Sequence, residues 1–220
     1  MFKVVEKFVS INGEGMKSGE LAVFIRFQKC NLKCSYCDTA WACTDDAKYE
    51  EMDCESITKY IASTGVKNVT LTGGEPLLQE NLSILITEIA KSGDVHIEVE
   101  TNGSQSLTYM SRMIARPSFT MDYKLPSSGM ETSMDIENFE VLTKADCVKF
   151  VCGSIEDLDK ARTLIKKHGL LTNTNVYFSP VHSTLSAEKI VEYMIKHNLN
   201  GIRLQLQLHK FIWNPEMRGV

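Results

Sequence analysis

The sequence predicts an α/β fold built as a complete or partial TIM-like (β/α) barrel. Strand and helix patterns alternate along the chain after residue 20, and such alternation implies right-handed crossovers between mostly parallel strands. The segment Leu21–Phe27 is almost entirely apolar, as expected of a strand that is buried on both faces. Roughly six or seven such units, without a dinucleotide-binding fingerprint, favour the barrel over an open doubly wound sheet, which is the competing prediction.

Hydrophobic periodicity predicts the elements that follow this first strand. Short β-prone segments predict strands at Asn68–Thr72, Val95–Glu100 and Ser118–Tyr123. Apolar residues at helical spacing predict helices at Glu55–Ser63, Leu78–Lys91, Leu107–Ala115 and Ile136–Thr143. Within Val95–Glu100, apolar and polar residues alternate cleanly, which is the period-two pattern of a strand.

The last third repeats the alternation and carries explicit helix-capping signals. The predicted elements are strands at Cys147–Val151, Asn175–Phe178 and Gly201–Leu206 and a final helix at Ala187–His197. Ser154, with Asp157 three residues later, resembles a capping box for a helix that runs to His168, and Gly169 suits the position after its end. Ser186 is the predicted N-cap of the final helix.

Composition and charge indicate a globular cytoplasmic protein. The chain has 220 residues, a formal charge of −4 and 43% hydrophobic residues, which suits a single domain over residues 1–220. The acidic balance predicts no nucleic-acid or membrane partner, because both favour a basic excess. No apolar run approaches the roughly 18 residues of a spanning helix, and charged residues interrupt the N-terminal apolar pattern, unlike in a signal peptide.

Cysteine usage is the most unusual feature of the sequence. Three of the seven cysteines, Cys30, Cys34 and Cys37, form a C-x₃-C-x₂-C motif directly after the first buried strand. In a reducing compartment such a group indicates metal binding rather than a disulfide. Three thiolates from one loop suit a [4Fe–4S] cluster with one iron left open to a small molecule. The alternatives are a zinc site completed by Cys43 and a chance group of half-buried thiols.

A second motif, Thr72-Gly-Gly-Glu-Pro76, follows the next predicted strand. Its two glycines allow a ligand to approach the backbone closely, and the Glu75 carboxylate can accept hydrogen bonds from an ammonium group. An ordinary turn between a strand and a helix, with Pro76 near the helix start, would explain the same residues.

The cysteine spacing, the aromatic Tyr36 before the third cysteine and the GGEP segment resemble the signature of the radical S-adenosylmethionine (radical SAM) superfamily. The resemblance implies the modified partial TIM-like (β/α) barrel of that superfamily, and S-adenosylmethionine bound at the open iron of a [4Fe–4S] cluster. It also implies cleavage of S-adenosylmethionine to a 5′-deoxyadenosyl radical that abstracts a hydrogen atom from the substrate. The residues that it assigns to S-adenosylmethionine are Tyr36, Cys37, Asp38, Gly74, Glu75, Asp122, Tyr123, Lys124, Ser127 and Lys149.

A narrower resemblance covers the chain from Ser10 to Lys210. Its motifs occur in order as Asn12-Gly-Glu-Gly15, Arg26, Cys37-Asp-Thr39, Glu100-Thr-Asn-Gly103 and Leu208-His-Lys210. Together they are similar to the 7-carboxy-7-deazaguanine synthase family. The resemblance implies a carbon–nitrogen lyase that contracts the ring of 6-carboxy-5,6,7,8-tetrahydropterin and releases ammonia, in the synthesis of queuosine and related 7-deazapurines. It also implies Mg²⁺, a homodimer and an electron donor such as flavodoxin or ferredoxin.

The same resemblance assigns the substrate and metal contacts. The substrate residues are Ile11, Asn12, Gly13, Glu14, Arg26, Thr72, Glu100 and His209, the cluster ligands are Cys30, Cys34 and Cys37, and the Mg²⁺ ligand is Thr39. Arg26 suits the pterin carboxylate, Glu100 suits ring N–H groups, and the Thr39 hydroxyl suits a hard cation. The ordinary alternatives are an arginine that emerges into water, a solvated glutamate, a helix N-cap and, for Lys149, a solvated strand lysine.

Two features depart from the family pattern. Asn12 stands where the family often has the longer Gln, so that a substrate contact can shift or pass through water. The chain continues past Lys210 to Val220, and some family members place their terminal carboxylate near the substrate. The rival functions are a glycyl-radical enzyme activase and a non-catalytic iron–sulfur or zinc module. The set of Arg26, Thr39 and Glu100 weighs against the first, and the GGEP and ETNG segments weigh against the second.

Overall fold

Parallel strands make up most of the sheet in the computed structural model, which describes residues 1–182, 184–215 and 217–220. The strands are β1 (Phe2–Ile11), β2 (Leu21–Phe27), β3 (Glu50–Met52), β4 (Asn68–Gly73), β5 (His96–Thr101), β6 (Ser118–Tyr123), β7 (Cys147–Cys152), β8 (Asn175–Pro180) and β9 (Ile202–Leu204). They form one sheet in the order β3-β1-β2-β4-β5-β6-β7-β8-β9. The β1–β2 and β1–β3 pairs are antiparallel, and the pairs from β2 to β9 are parallel.

Helices connect the successive parallel strands. They are α1 (Cys54–Thr64), α2 (Leu82–Lys91), α3 (Thr108–Ser111), α4 (Asn138–Val141), α5 (Ile155–Lys167), α6 (Leu170–Asn173), α7 (Ala187–Lys196) and α8 (His209–Ile212). Short 3-10 turns lie at Ala40–Ala42, Pro76–Leu78, Pro126–Ser128 and Glu131–Ser133. In the part of the chain that the structure describes, no helix has the length and apolar character needed to cross a membrane.

The strand order confirms the predicted partial barrel. From β2 through β4 to β9, each strand lies beside the strand that follows it in the parallel series. A doubly wound sheet instead reverses its order at a switch point. The competing prediction of an open doubly wound sheet is therefore wrong.

A loop, rather than a further strand pair, bridges the two ends of the parallel series. This N-terminal loop (residues 12–20) joins β1 to β2 and reaches the segment after β9. The Gly15 N–H donates to Gln205 Oε1 at 2.9 Å, and Gln205 Nε2 donates to the Gly15 carbonyl oxygen at 2.9 Å. The Leu208 N–H donates to the Gly13 carbonyl oxygen at 3.0 Å. Gly15 has a φ of +76°, a conformation that glycine adopts without a steric penalty.

The predicted elements agree best with the structure where local signals are strong. The observed β2 and β6 have exactly the predicted ends. Ser154 Oγ accepts a hydrogen bond from the Asp157 N–H at 3.2 Å, and Ser186 Oγ accepts one from the Lys189 N–H at 3.3 Å. Both predicted helix caps are therefore confirmed.

Other elements differ from the prediction for identifiable reasons. The sequence does not predict β1 or β3, which depend on antiparallel pairing with a neighbour rather than on an apolar run. The helix predicted from Leu78 begins at Leu82, because Pro76–Leu78 forms a separate turn. The short α3 and α4 replace longer predicted helices. The buried Asn138 side chain bonds the backbone of residues 103, 105 and 107 and so fixes the loop between β5 and α3.

The sheet is buried on both faces, but the two faces differ in chemistry. The outer face packs its apolar residues against the helices in one hydrophobic core that includes Val23, Leu71 and Val99. The inner face, toward the barrel interior, carries buried polar residues such as Thr70 and Glu98. The polar positions of the alternating β5 pattern therefore point into the barrel instead of into water.

Candidate active site

Four charged side chains and one threonine, from five neighbouring strands, meet near the carboxyl ends of the barrel strands. Arg26 on β2 is in register with Thr72 on β4, and Asp122 on β6 is in register with Lys149 on β7. Glu100 comes from β5, between these two pairs. In parallel barrels this end carries the functional residues, so the fold brings together residues that lie more than a hundred positions apart in the sequence.

Lys149 is the central cation of this group. Its side chain is 7% exposed, and its Nζ lies 2.8 Å from Glu14 Oε2 and 3.0 Å from Asp122 Oδ1. Burial disfavours the ammonium, but Asp122 and Glu14 outweigh burial and hold the Lys149 pKa well above its ordinary value. Asp122 Oδ2 also binds Lys124 Nζ at 3.0 Å. The alternative of a solvated strand lysine is wrong.

Arg26 is directed toward the barrel rather than into water. Its Nε donates to Glu6 Oε2 at 3.1 Å, and its side chain is largely buried. Burial raises the pKa of Glu100, while Lys149, the Thr72 hydroxyl and Arg26 oppose the rise. Glu100 is therefore a half-buried carboxyl between a hydroxyl and two cations, rather than a fully solvated glutamate.

A second carboxyl, Glu98, lies two positions before Glu100 on the same face of β5. It is 3% exposed, and its Oε1 accepts a hydrogen bond from the Thr120 hydroxyl. Burial, and next the nearby Glu100, raise the pKa of Glu98 to about 7. Nothing in the sequence singled this residue out except its place in the alternating strand.

The three motif cysteines lie on the loop that follows β2. Cys30 Sγ accepts hydrogen bonds from the Leu32 N–H at 3.4 Å and from Asn102 Nδ2 at 3.5 Å. The Cys43 thiol hydrogen-bonds to Cys30 and Cys37, and these bonds are the main reason that the pKa of Cys30 falls to about 6 and that of Cys37 to about 7. Lowered thiol pKa values favour the thiolate form, which ligates metals.

The GGEP glycines serve the packing of the protein backbone. A Cβ on Gly73 would lie 2.3 Å from the Phe27 carbonyl oxygen, and one on Gly74 would lie 2.0 Å from the Lys29 carbonyl oxygen. The Gly74 N–H donates to the Phe27 carbonyl at 3.1 Å. The close approach of the cysteine loop therefore requires glycine at both positions, and the approach of a ligand to the Gly74 backbone stays a prediction.

Glu75 is fully buried and ties three segments together. Its Oε1 accepts hydrogen bonds from the Leu77 N–H at 3.0 Å and the Thr101 hydroxyl at 2.9 Å. Its Oε2 accepts one from the Asn102 N–H at 2.7 Å. Burial raises the Glu75 pKa to about 7 despite these bonds. The GGEP and ETNG segments therefore join at one carboxyl group beside the cysteine loop.

The remaining residues assigned to the cofactor lie around the cysteine loop. The Tyr36 hydroxyl donates to the Val151 carbonyl at 3.4 Å. The Ser35 hydroxyl donates to the Ser127 carbonyl at 2.7 Å. Tyr123 differs from these residues, because its side chain stacks on Phe139 in the hydrophobic core. Only the Tyr123 backbone can face the barrel interior.

Thr39 and Asp38 form a pair of oxygen donors at the end of the cysteine loop. Thr39 Oγ1 donates to Asp38 Oδ1 at 3.0 Å, and Lys210 Nζ donates to Asp38 Oδ2 at 2.9 Å. The pKa of Asp38 falls to about 2, because Lys210 and Thr39 outweigh burial. Thr39 precedes the turn Ala40–Ala42, but its hydroxyl makes no capping bond. Thr39 is therefore the N-cap residue of this turn by position, but capping does not account for its hydroxyl.

His209 and the N-terminal loop meet on the far side of the interior. A Cβ on Gly13 would lie 2.3 Å from His209 Nδ1, so glycine is required for this contact. Burial lowers the His209 pKa and favours the neutral imidazole. Glu14 accepts from Gln207 Nε2 at 3.1 Å. Ile11 ends β1 opposite Leu21, directly before this loop.

The sequence reasoning missed Gln205 and Gln207, which hold the N-terminal loop in place. The available signal was the run Leu204-Gln-Leu-Gln-Leu208, in which two amides alternate with leucines at the end of a predicted strand. Such a polar face at a strand end points to an interior role.

The fold and the cysteine loop define a radical SAM protein, and residues 24–122 match the model of the Radical SAM superfamily. Over its whole length the chain is 54% identical to the 7-carboxy-7-deazaguanine synthase of Clostridium acetobutylicum, with 100% of this chain and 99% of the relative covered. It is 36% identical to the Leptospira interrogans protein of the same name, with 99% and 97% covered. The chain belongs to the 7-carboxy-7-deazaguanine synthase family.

A solved structure supports the fold independently. QueE from Escherichia coli matches with a TM-score of 0.71 at 23% identity, over 93% of each chain. The full-length relatives do not favour the two rival functions, a glycyl-radical enzyme activase and a non-catalytic metal module.

The close approach at Gly74 generates a stability prediction. Gly74→Ala places a methyl group against the Lys29 backbone, which cannot rotate away as a side chain would. We expect the free energy of unfolding to fall by about 3 kcal/mol or more, and the iron content after reconstitution to fall with it. Urea denaturation and iron analysis measure the two effects. The control Gly65→Ala meets open space at positive φ and should cost about 1–2 kcal/mol without loss of iron.

The buried charges around Lys149 generate a second prediction. Lys149→Met leaves Glu14 and Asp122 buried without their common cation, so urea denaturation should show a loss of about 3–5 kcal/mol. Lys59→Met is the matched control, because the Lys59–Glu55 pair, at 2.6 Å, lies on an exposed helix face. It should cost at most about 0.5 kcal/mol. Equal losses in the two variants would contradict the central role of Lys149.

The raised pKa of Glu98 generates a pH prediction. Because its pKa rises from 4.5 to about 7 on folding, the folded state binds more protons than the unfolded state between these values. The contribution of Glu98 to the free energy of unfolding is therefore greatest below about pH 4.5, and it is lost as the pH rises through about 7. In the Glu98→Gln variant, the fall in the free energy of unfolding over this pH range should be smaller by on the order of 3 kcal/mol. Wild-type and variant urea curves at pH 5 and pH 8 test this, and parallel pH dependences would contradict it.

Proposed function

We propose that this protein is a carbon–nitrogen lyase that converts 6-carboxy-5,6,7,8-tetrahydropterin to 7-carboxy-7-deazaguanine with loss of ammonia. The observation that carries the proposal is the juxtaposition of a buried set of cations and carboxyls with a cysteine loop at one end of the barrel. Arg26, Glu100 and Lys149 supply the charges. Asn102 links the strand that bears Glu100 to Cys30 of the loop.

The cysteine loop fits an iron–sulfur cluster. Cys30, Cys34 and Cys37 would ligate three irons, and the lowered pKa values of Cys30 and Cys37 suit thiolate ligands. The cluster and S-adenosylmethionine, when bound, supply a 5′-deoxyadenosyl radical as the hydrogen-atom abstractor. The side chains that would orient S-adenosylmethionine are Tyr36, Asp38, Glu75, Asp122, Lys124 and Lys149, with backbone contacts from Gly74, Tyr123 and Ser127.

The polar barrel interior fits a pterin that carries a carboxylate. The Arg26 guanidinium would bind the substrate carboxylate while its Nε continues to donate to Glu6. Glu100 would accept hydrogen bonds from ring N–H groups, and the Thr72 hydroxyl hydrogen-bonds to it. The loop from Ile11 to Glu14, together with His209, would cover the opposite edge of the ring.

Thr39 supplies a hydroxyl oxygen that suits Mg²⁺, with the Asp38 carboxylate 3.0 Å away from it. Thr39 and Asp38 would hold the cation, which would supply positive charge for the substrate carboxylate. Lys210 would hold Asp38 ionised and in place.

The reaction is an internal rearrangement in its overall balance. The product differs from the substrate by the elements of one ammonia molecule, so no net oxidant or reductant is consumed and S-adenosylmethionine can be regenerated. The chain itself therefore has to position the reacting carbon, exclude water and hold the charged edges of the ring. Lys149, Glu14 and Asp122 provide fixed charges for this purpose without exchange with solvent.

Further expectations accompany the proposed reaction. Residues 1–220 would act as a single domain, because all the strands pair in one sheet. We place the protein in the cytoplasm as a homodimer that receives electrons from a flavodoxin or ferredoxin. Its product would serve the synthesis of queuosine and related 7-deazapurines.

An anaerobic assay tests the proposal directly. Iron-reconstituted protein is incubated with reductant, S-adenosylmethionine, Mg²⁺ and the carboxylated pterin, and the products are identified by mass spectrometry. We expect 7-carboxy-7-deazaguanine in excess over any S-adenosylmethionine consumed. Formation of 5′-deoxyadenosine alone would contradict the substrate, and neither product despite an intact cluster would contradict the enzymatic function.

A cysteine pair provides matched variants for this assay. Cys34→Ala should lose the cluster absorbance and at least about a thousandfold in turnover, because the chemistry belongs to the bound cofactor. Cys54→Ala removes a thiol at the start of α1 and should retain both. A fully active Cys34→Ala variant would contradict the assignment of the cluster ligands.

A further inference from the structure

Two buried polar atoms in the barrel have no hydrogen-bond partner. Asn12 is 2% exposed and Glu98 is 3% exposed. Among the residues that the structure describes, Asn12 Nδ2 and Glu98 Oε2 are two of the few buried side-chain polar atoms without a partner. Buried polar atoms are nearly always paired with protein, water or a ligand, so these two atoms are the places in this corner where a partner from outside the chain would bind.

The two atoms belong to the same corner of the barrel. Asn12 Oδ1 accepts a hydrogen bond from the Thr70 hydroxyl at 2.8 Å, and Thr70 is in register with Glu98 across the β4–β5 pair. Gly15, on the same loop as Asn12, comes so close that its Cβ would lie 3.0 Å from Glu98 Oε1. Both side chains therefore belong to a cluster formed by the N-terminal loop, β4 and β5.

This corner lies one layer deeper in the barrel than Glu100, the carboxyl that we propose binds the substrate. Thr70 and Glu98 each precede Thr72 and Glu100 by two positions on their strands, so they share the same inner face. The layer that holds Thr72 and Glu100 contains the groups assigned to the ring. The deeper layer therefore forms the floor of the same site. In this layer the Thr70 hydroxyl donates to Asn12 Oδ1, and the Thr120 hydroxyl donates to Glu98 Oε1.

The chemistry of the two atoms is complementary. An amide Nδ2 only donates, whereas a carboxyl oxygen that carries no proton only accepts. We infer that Asn12 and Glu98 form a further substrate subsite that binds a polar ring edge carrying one hydrogen-bond acceptor and one N–H donor. A pterin ring offers such edges, with its ring carbonyl or ring nitrogen as the acceptor and its amino or ring N–H as the donor. This inference rests on the proposed function and names two residues that determine ring specificity.

The side chain at position 12 is held at the level of Glu98. Asn12 Oδ1 accepts a hydrogen bond from the Thr70 hydroxyl, and Thr70 is in register with Glu98. The subsite therefore pairs two features of this chain, an asparagine at the loop and a glutamate two positions before Glu100.

Equilibrium binding tests the inference without turnover. Reconstituted protein without reductant is titrated calorimetrically with 6-carboxy-5,6,7,8-tetrahydropterin. Glu98→Gln replaces an accepting oxygen by a donor of the same shape, and we expect the Kd to rise about 10- to 100-fold, because a hydrogen bond to a charged group is lost. Asn12→Asp replaces the donor by an acceptor and should weaken binding in the same range. The Kd for S-adenosylmethionine should stay within about twofold in both variants.

Glu88→Gln is the matched control, because it makes the same exchange on the exposed face of α2, where Glu88 pairs with Lys91. It should alter the pterin Kd by less than about threefold. If Glu98→Gln weakens S-adenosylmethionine binding as much as pterin binding, Glu98 serves packing alone and the inference is wrong. Unchanged binding by both Glu98→Gln and Asn12→Asp would also overturn it, leaving a buried water as the partner. Failure of the wild-type protein to bind the pterin would instead overturn the proposed function, and the inference with it.

Discussion

The Lys149 ammonium, held between Glu14 and Asp122, is the interaction on which the rest of the site depends. A buried charge requires compensation nearby, and here the compensating carboxylates come from the N-terminal loop and from β6. Glu14 also accepts a hydrogen bond from Gln207, which lies in the segment after β9. Neutralising one lysine therefore fixes the loop that bridges the two ends of the parallel series, and the same loop carries residues assigned to the substrate.

A second constraint acts on the backbone beside the cysteine motif. The end of β4 lies so close to residues 27–29 that glycine is required at two consecutive positions. Glu75 then joins this strand end to Thr101 and Asn102, and Asn102 reaches Cys30. The cysteine loop is therefore positioned from behind by hydrogen bonds and close packing. A fixed loop suits the ligation of the iron–sulfur cluster that the radical SAM family implies.

Sequence reasoning was accurate where chemistry is local and failed where it depends on distant partners. Apolar runs and capping residues are local, so β2, β6 and the caps Ser154 and Ser186 agree with the structure. The strand β1 was missed, because its antiparallel partner rather than its own pattern makes it a strand. The GGEP glycines were recognised as special, but the neighbour that makes them necessary is the chain itself. Gln205 was missed because its partner, Gly15, is far away in the sequence.

The sequence by itself determined the class of the protein, since cysteine spacing, motif order and strand–helix alternation are written along the chain and need no folding to be read. It also determined that Arg26, Glu100 and Lys149 lie on strands, because periodicity is local. Only the tertiary structure decided that Lys149 is a buried cation, that Glu75 is a connecting carboxyl and that Glu98 lies beneath Glu100. Burial and pairing depend on which distant strands become neighbours, and they set both the charge state and the partners of every residue in the barrel interior.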